Sequence, residues 1–503
     1  MDIASLPFKT KPFAHQLRAL YASWDKTAFA LLMEMGTGKT KVILDNAAML
    51  FLAGKIDCLL IVAPNGVHRN WVEREVPKHY FGRYVSAYWK SSFSIKRRFA
   101  FNETAFAPIY TANTMLRIIA MNYDAFITEA GVAFLRRLLT EHKCMMILDE
   151  STKIKTPSAK RTKAIISAGK LAPYRRILTG TPVGNSLFEL YSQFKFLDMN
   201  IIGFKTFTEF KSYFGEFRLA RAGNNQFMEF VKYKHEDELK EKVLRHSFQA
   251  KKKDCLDLPD KIYEQRLVEM SNEQARIYGA LKSEFVAAVE GGTMIAALAL
   301  TRIMRLQQIT GGFVAAVDGT LDEILNGDVA NETRLRPIDG VNPKMTALME
   351  ILENVEGKAI IWARFQAEIE MICAQIQAQY GPDSVVAYYG KTSAENRHKA
   401  ESAFQEGTAR FFVGQPASGG YGLNLFSATT VIYYSNTFSL SDREQSEDRA
   451  HRQGQKHNVT YIDMVMADTV DGKILAALNE KKNLAAYIKD TGEKYFYGTG
   501  NNE

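Results

Sequence analysis

The chain has 503 residues, enough for two or three domains with substantial cores. Hydrophobic residues make up 46% of it, which excludes an intrinsically disordered chain. Lysine and arginine number 64 against 56 aspartates and glutamates, a net charge of +8 that suits a polyanionic partner without requiring one. Cys58, Cys144, Cys255 and Cys373 stand singly, so neither a zinc site nor a disulfide framework is expected. No charged-then-apolar leader opens the sequence and no run of 18 apolar residues occurs. The expectation is a reducing, cytoplasmic setting with no membrane partner.

In chain order, apolar residues 29–33 lead into Met-Glu-Met-Gly-Thr-Gly-Lys-Thr at 33–40, and helical spacing follows to residue 53 with Gly54 at its end. This is the strand–turn–helix context of a phosphate loop. A turn built on Gly36, Thr37 and Gly38 presents backbone N–H groups to an anion. Lys39 then reaches the β- and γ-phosphates of ATP, and the Thr40 hydroxyl ligates Mg²⁺. Strand-like runs follow at 58–63, 145–148 and 176–179, with a helix-like segment at 130–140. Such alternation predicts a parallel sheet covered by helices. The run ending at 148 leads into Asp149 and Glu150. Asp149 is the expected Mg²⁺ ligand, and Glu150 the group that polarises the attacking water.

Between residues 200 and 341 the character changes. Segments 204–217, 236–246, 272–290 and 296–308 read as helices, and 315–342 as a polar loop or hairpin. Alternation returns at residue 344, with strands expected at 358–363, 384–389, 410–413, 430–435 and 461–465 and helices at 366–380 and 394–405. This second half repeats the first half's fold class without its phosphate loop. Its chemistry lies in Gln445-Ser-Glu-Asp-Arg-Ala-His-Arg-Gln-Gly-Gln, where Arg449 and Arg452 are three apart and would share a helix face. An isolated Arg-x-x-Arg usually marks a salt-bridged surface helix. The preceding Gly419, Gly420 and Gly422 shift that balance, because glycines after a strand allow close approach to a phosphate. The two arginines are then candidate fingers for the γ-phosphate.

These motifs, in this order, resemble the Snf/Swi-type branch of the superfamily-two helicase-like ATPases, over about residues 13–465. Phe-Ala-His-Gln at 13–16 resembles the segment whose glutamine, here Gln16, reads adenine. Glu-Met-Gly-Thr-Gly-Lys-Thr at 34–40 is the family's phosphate loop, and Ile-Val-Ala-Pro at 61–64 with Asn70 and Trp71 matches its next motif. Leu-Thr-Gly-Thr-Pro at 178–182, with Asn185, Leu187 and Glu189, is similar to the coupling motif; the resemblance assigns coupling to Thr179, Gly180, Thr181 and Gln445. Residues 389–393 with Arg397 match a second-lobe motif, and 445–455 the arginine-finger motif. Two departures stand out. Ser151 and Thr152 replace the usual Ala-His, and residues 249–253 replace an Arg-Arg-rich stretch.

The resemblance implies an α/β protein of two RecA-like parallel-sheet lobes forming an ATP cleft, with a mainly helical insertion. Its divisions would be lobe 1 over 1–199, the insertion over 200–341, lobe 2 over 342–490 and a short tail over 491–503. It also implies ATP and Mg²⁺ as cofactors and tracking of double-stranded DNA along its phosphates, as in minimal bacterial or phage members. Lys153, Lys155, Lys160, Arg161 and Lys391 are the leading DNA contacts, with Arg97, Arg98 and Arg117 as further candidates. Trp71 and Trp362 are better read as core than as stacking platforms. The competing readings are a strand-separating helicase acting on DNA or RNA, whose pin the 200–341 insertion could hold, and a nucleotide-switched DNA-binding module with negligible turnover.

Overall fold

The structure is a computed structural model. It describes all residues except 1–2, 4–5, 108–114, 185, 223–224, 291–295, 317–333, 391, 393, 420–422 and 481–503. The chain divides into two compact units, Met1–Asp257 and Leu258–Glu503.

The first unit is built on a seven-stranded parallel sheet. Its strands are β1 (Ala28–Met33), β2 (Cys58–Ala63), β3 (Tyr84–Tyr88), β4 (Leu116–Asn122), β5 (Cys144–Asp149), β6 (Tyr174–Leu178) and β9 (Ser247–Ala250). Their order across the sheet is β3-β4-β2-β5-β6-β1-β9. The central strands are buried along their length because helices cover both faces, which is why Ala-Phe-Ala-Leu-Leu-Met and Cys-Leu-Leu-Ile-Val-Ala read as continuous apolar runs. One apolar layer lies on each face, centred on Phe134, Leu138 and Phe194 on one side and on Ile43, Ala47 and Trp71 on the other. Between β6 and β9 the chain forms an antiparallel ribbon, β7 (Gly215–Ala222) with β8 (Asn225–Tyr233), which is a separate two-stranded sheet.

The second unit has a six-stranded parallel sheet. It comprises β10 (Lys261–Val268), β13 (Lys358–Trp362), β14 (Val385–Tyr388), β15 (Phe411–Gly414), β16 (Ala428–Tyr433) and β17 (Val459–Met466), in the order β10-β17-β16-β13-β15-β14. A two-stranded antiparallel sheet pairs β11 (Phe313–Ala316) with β12 (Arg334–Pro337). Among the described residues, no helix is long and apolar enough to cross a membrane.

The two α/β sheets match the fold expected from sequence. The reading of 200–341 as mainly helical missed four strands. The helix expected over 204–217 runs only from Phe207 to Phe214, opened by a capping box between Thr206 and Glu209. It stops because Gly215 is a corner: a Cβ there would come within 2.7 Å of both Phe188 and Phe217. Alternation of Phe217 and Leu219 with Arg218 and Ala220 is a strand period that the expected helix concealed. The strands β9 and β10 are edge strands of the two large sheets, flanking Lys252–Cys255.

The second unit also buries charge. Lys344, fully buried, pairs with Asp471 at 2.6 Å. Nearby Glu368 is fully buried; its Oε2 accepts from the Ser435 hydroxyl and the Phe365 N–H, while its Oε1 has no partner among the described residues. Burial pushes this carboxyl up from 4.5 to about 7, outweighing the hydrogen bonds from Ser435 and Phe365 and the charge of Lys344. A carboxyl raised on folding favours the folded state at low pH, and that advantage is lost as pH rises through about 7. Glu368→Gln imitates the protonated acid. It should flatten the decline in stability between pH 5 and 8 and raise the unfolding free energy above pH 7 by on the order of 2–3 kcal/mol. Unfolding titrations of both proteins across that range check this; parallel pH profiles would exclude Glu368 as the source.

Candidate active site

The phosphate-loop residues sit where β1 meets the helix Lys39–Leu52. Gly36 and Gly38 hold φ of +80° and +87°, left-handed values that a side chain resists. Gly38 has a second constraint, since a Cβ would lie 2.1 Å from Gln16 Nε2. The loop closes on its own backbone. The Lys39 ammonium donates to the Met33 carbonyl at 2.8 Å and to the Glu34 carbonyl at 3.3 Å, and the Thr37 hydroxyl donates to the Glu34 carbonyl at 2.7 Å. His15 Nε2, at 2.7 Å, and the Gln16 amide, at 3.1 Å, both donate to the Thr37 carbonyl. Gln16 Oε1 accepts the Phe13 N–H at 3.0 Å. Gln16 thus acts here as a brace of the loop.

Glu34 fastens the loop's other side. Its N–H donates to the Ala250 carbonyl at the end of β9, and its carboxylate accepts the Lys252 N–H at 2.7 Å. The first turn after the phosphate strand is thereby tied to the short helix Lys252–Cys255, which ends three residues before the second unit begins at Leu258.

Asp149 ends β5, separated from β1 only by β6. The Trp71 indole N–H donates to its Oδ2 at 2.8 Å. Burial pushes the Asp149 carboxyl above its ordinary value, against the opposing pull of Trp71 and of the charge on Lys39. Glu150 follows at φ 55°, ψ 60°, a left-handed conformation that costs a non-glycine residue about 1–2 kcal/mol. Tyr123 holds this turn, its hydroxyl donating to the Asp149 carbonyl at 2.8 Å and reaching the Glu150 carbonyl at 3.3 Å. Backbone strain beside two carboxylates is a mark of functional positioning.

The coupling residues lie against both parts. Thr179 is fully buried and its N–H bonds the Leu31 carbonyl of β1. A Cβ on Gly180 would come 3.2 Å from the Met35 N, so this glycine lets the segment pack on the phosphate loop. The Thr181 N–H bonds the Thr179 hydroxyl. Gln193 links this segment to the acidic turn: its amide donates to the Pro182 carbonyl at 2.8 Å, and its Oε1 accepts the Ser151 hydroxyl at 2.6 Å.

Asp149 and Thr40 are hard oxygen donors of the kind Mg²⁺ prefers, and a carboxylate desolvated at a strand end fits a cation. These two residues would hold the metal alongside phosphate oxygens, where it would neutralise charge on the leaving group. Among the described residues no cluster of three His, Cys, Asp or Glu offers a separate metal site.

In the second unit the arginine motif departs from the expected helix. The helix Leu440–Glu447 ends before Arg449, and both arginines lie in the turns that follow. Glu447 is occupied by Lys261, Tyr263 and Arg443, while Gly454 takes φ 105° in the succeeding turn. The arginines nonetheless converge, since Arg449 Nη1 at 3.2 Å and Arg452 Nη1 at 3.0 Å donate to the same Leu423 carbonyl. Gln445 is buried, its amide donating to the Ser441 hydroxyl. Gly422 lies outside the described residues.

Of the basic residues after β5, Lys155 pairs with Glu189 at 3.1 Å and Arg161 with Asp124 at 3.0 Å. Lys160 is exposed at the start of its helix, and Lys153 lies in the intervening turn. Lys391 lies outside the described residues. Arg117 is corrected: it is buried in β4, donating to the Ala107 carbonyl, because the strand carries it inward. Trp71 and Trp362 are core residues as expected, but Trp71 also orients Asp149, a role no local spacing signals. Glu34, Tyr123 and Gln193 were likewise missed as site residues, since their partners are remote in sequence.

A family model described as the SNF2-related domain matches residues 15–311, and one described as the helicase conserved C-terminal domain matches 343–454. The chain belongs to the SNF2-related family of helicase-like ATPases. It is 25% identical to the ATP-dependent helicase brm of Drosophila melanogaster, over 91% of this chain and 28% of that protein. It is 29% identical to the chromatin structure-remodeling complex subunit snf21 of Schizosaccharomyces pombe, over 71% and 30% respectively. With an uncharacterized ATP-dependent helicase of Mycoplasma genitalium it shares 24% identity, over 79% of this chain and 35% of that one. The chain thus spans about a third of the length of these curated relatives. Among solved structures it is similar to the Sulfolobus solfataricus SWI2/SNF2 ATPase core in complex with dsDNA, at 24% identity and a TM-score of 0.41, over 98% of this chain and 96% of that one.

Removing the Glu34 carboxylate should loosen the chain where it leaves the first unit. In Glu34→Ala, amide hydrogen exchange across residues 251–255 should quicken by roughly tenfold or more, with β2 and β5 still protected. Unchanged exchange at 251–255 would mean that the Glu34–Lys252 bond carries no weight.

Proposed function

We propose that the chain is an ATP-driven translocase on double-stranded DNA. The observation that carries the reading is the set of groups around β6: a left-handed glycine loop with Lys39 on one side, and on the other a desolvated Asp149 followed by a strained Glu150. Such a set positions phosphates and a water, which is most of what phosphoryl transfer requires. Lys39 would exchange the Met33 and Glu34 carbonyls for the β- and γ-phosphates. Glu150 would accept the proton of the attacking water. Arg449 and Arg452, gathered at one carbonyl, would stabilise charge on the transferring phosphoryl group.

Family membership supports a motor, and the relatives named as helicases or as a chromatin-remodeling subunit support DNA as its track. The basic segment Lys153–Arg161 follows directly on the acidic turn, so phosphate contact there would lie next to hydrolysis. Contacts of this kind carry no base sequence, and the binding they give weakens steeply with salt.

The test is ATP turnover with no polymer, duplex DNA, single-stranded DNA and RNA side by side. Duplex DNA should stimulate most, and stimulation by RNA alone would reject the reading. Lys39→Ala should abolish turnover. Glu150→Gln should retain ATP binding while stopping hydrolysis; a normal rate in that variant would remove Glu150 as the base. Arg452→Ala should lower turnover by roughly 10³-fold while binding of ATP changes little. A change confined to the Michaelis constant would dismiss Arg452 as a finger. Displacement of a triplex strand with ATP, leaving a blunt duplex paired, would separate translocation from unwinding.

A further inference from the structure

The β7–β8 ribbon is absorbed by none of the site's chemistry. It pairs with neither large sheet, and an isolated two-stranded hairpin is marginal in water unless something anchors it. Its root is anchored. Phe217 and Phe230, register partners across the ribbon, pack on Phe188 with ring centroids 6.1 and 5.7 Å away, and Tyr233 does so at 5.3 Å. The Tyr233 hydroxyl donates to the Ser186 hydroxyl and accepts the Leu187 N–H. Ser186, Leu187 and Phe188 continue directly from the coupling segment that packs on the phosphate loop. The ribbon is therefore fastened to the stretch that follows the segment packed on the phosphate loop.

Two residues farther out on the same face, Leu219 pairs with Met228, and these side chains are 60% and 58% exposed. An apolar strip thus runs from the core along one face of the ribbon and ends in water. The polar groups around it have a definite sign. Glu229 is neutralised by Arg218 at 2.8 Å and Glu216 by Lys232 at 3.4 Å. Lys211, above the Phe217 ring, and Lys234 add positive charge at the root. An apolar pair on a narrow ribbon with surplus positive charge complements a nucleic-acid groove, where Leu and Met side chains wedge between base steps and cations meet the flanking phosphates. A purely apolar partner would leave that charge unanswered.

We propose that the β7–β8 ribbon is a nucleic-acid wedge, with Leu219 and Met228 entering at a base step of the duplex and Lys211 and Lys234 meeting the phosphates beside it. This rests on the reading of the chain as a DNA motor and names an element through which it would grip its track. The step is non-covalent and unstacks the bases it enters.

The experiment uses the full chain with a photo-crosslinking p-benzoylphenylalanine at position 219 and, as control, at Val132, which is exposed on the helix Glu129–Glu141 of the same unit. The probe is a 30-base-pair duplex carrying a single 2-aminopurine. Expected are a DNA crosslink from position 219 and none from 132, and a rise in 2-aminopurine fluorescence on binding. The Leu219→Asp/Met228→Asp variant should bind the duplex roughly tenfold more weakly and lose the fluorescence rise. Its melting temperature should stay close to that of the parent, because the root aromatics are untouched. Duplex-stimulated turnover that is equal in parent and variant, with no crosslink from 219, would overturn the wedge while leaving the motor reading intact. A crosslink from 219 only to a second copy of the chain would make the ribbon a protein-docking element instead. Failure of the parent to bind or respond to any duplex would overturn both readings.

Discussion

The closure of the phosphate loop on its own carbonyls is the constraint on which the first unit depends. The carbonyls of Met33, Glu34 and Thr37 accept from Lys39, from the Thr37 hydroxyl, and from His15 and Gln16. Two of these donors belong to the loop itself, and the other two, His15 and Gln16, to the helix Ala14–Ser23. The Lys39 ammonium cannot serve the Met33 carbonyl and a γ-phosphate equally well. A nucleotide would therefore change the bonding of Glu34, whose carboxylate holds the chain at Lys252. The two left-handed glycines are what allow so short a turn to bring these carbonyls and donors together.

The buried charges of the second unit do related work for the arginine motif. Glu447 sits at the end of the helix that precedes it. Burial presses its carboxyl upward, yet the charges and hydrogen bonds of Lys261 and Arg443 hold it below its ordinary value. Arg443 is bonded in turn to Asp463 on β17, and its guanidinium lies 3.6 Å from the centroid of the Tyr433 ring on β16. Removing one partner of such a set leaves an uncompensated charge in a dry interior, which costs far more than a surface pair contributes. The helix end is therefore fixed to β10, β16 and β17 together. The turn carrying Arg449 and Arg452 starts from that fixed point, which is how two arginines off the helix still meet at one carbonyl.

What could be read from sequence followed from where each signal is stored. The phosphate loop, the Asp149-Glu150 turn and the buried strands are local patterns, and both sheets were legible from them. Within 200–341 the start of β7 was read as helix because aromatic and charged residues at 204–217 fit helical spacing as well as strand alternation. The choice falls to a tertiary contact, Phe188 against Gly215, that no local window contains. β9 and β10 were missed for a related reason. Edge strands are short or half-exposed, and the six residues Ile262 to Leu267 are all exposed, so neither has the apolar run that marks a central strand. The pairing of Arg449 with Arg452 was foreseen, but its geometry was not, since helical spacing supplied the wrong reason for a correct convergence.

The departure at Ser151 links the acidic turn to the segment packed on the phosphate loop. Relatives of this type usually carry alanine after the two acidic residues, and alanine has nothing to donate. Here the buried Ser151 hydroxyl bonds Gln193, and the same Gln193 side chain holds the Pro182 carbonyl. The turn that positions Glu150 is therefore linked by two hydrogen bonds to the loop that packs on Met35. A buried hydroxyl without that acceptor would be costly, so serine at 151 and glutamine at 193 form a unit that neither residue makes alone. Phe188, five residues before Gln193, holds the root of the β7–β8 ribbon. The acidic turn, the segment that packs on the phosphate loop and the root of the ribbon are consequently joined by one continuous set of bonded and packed groups.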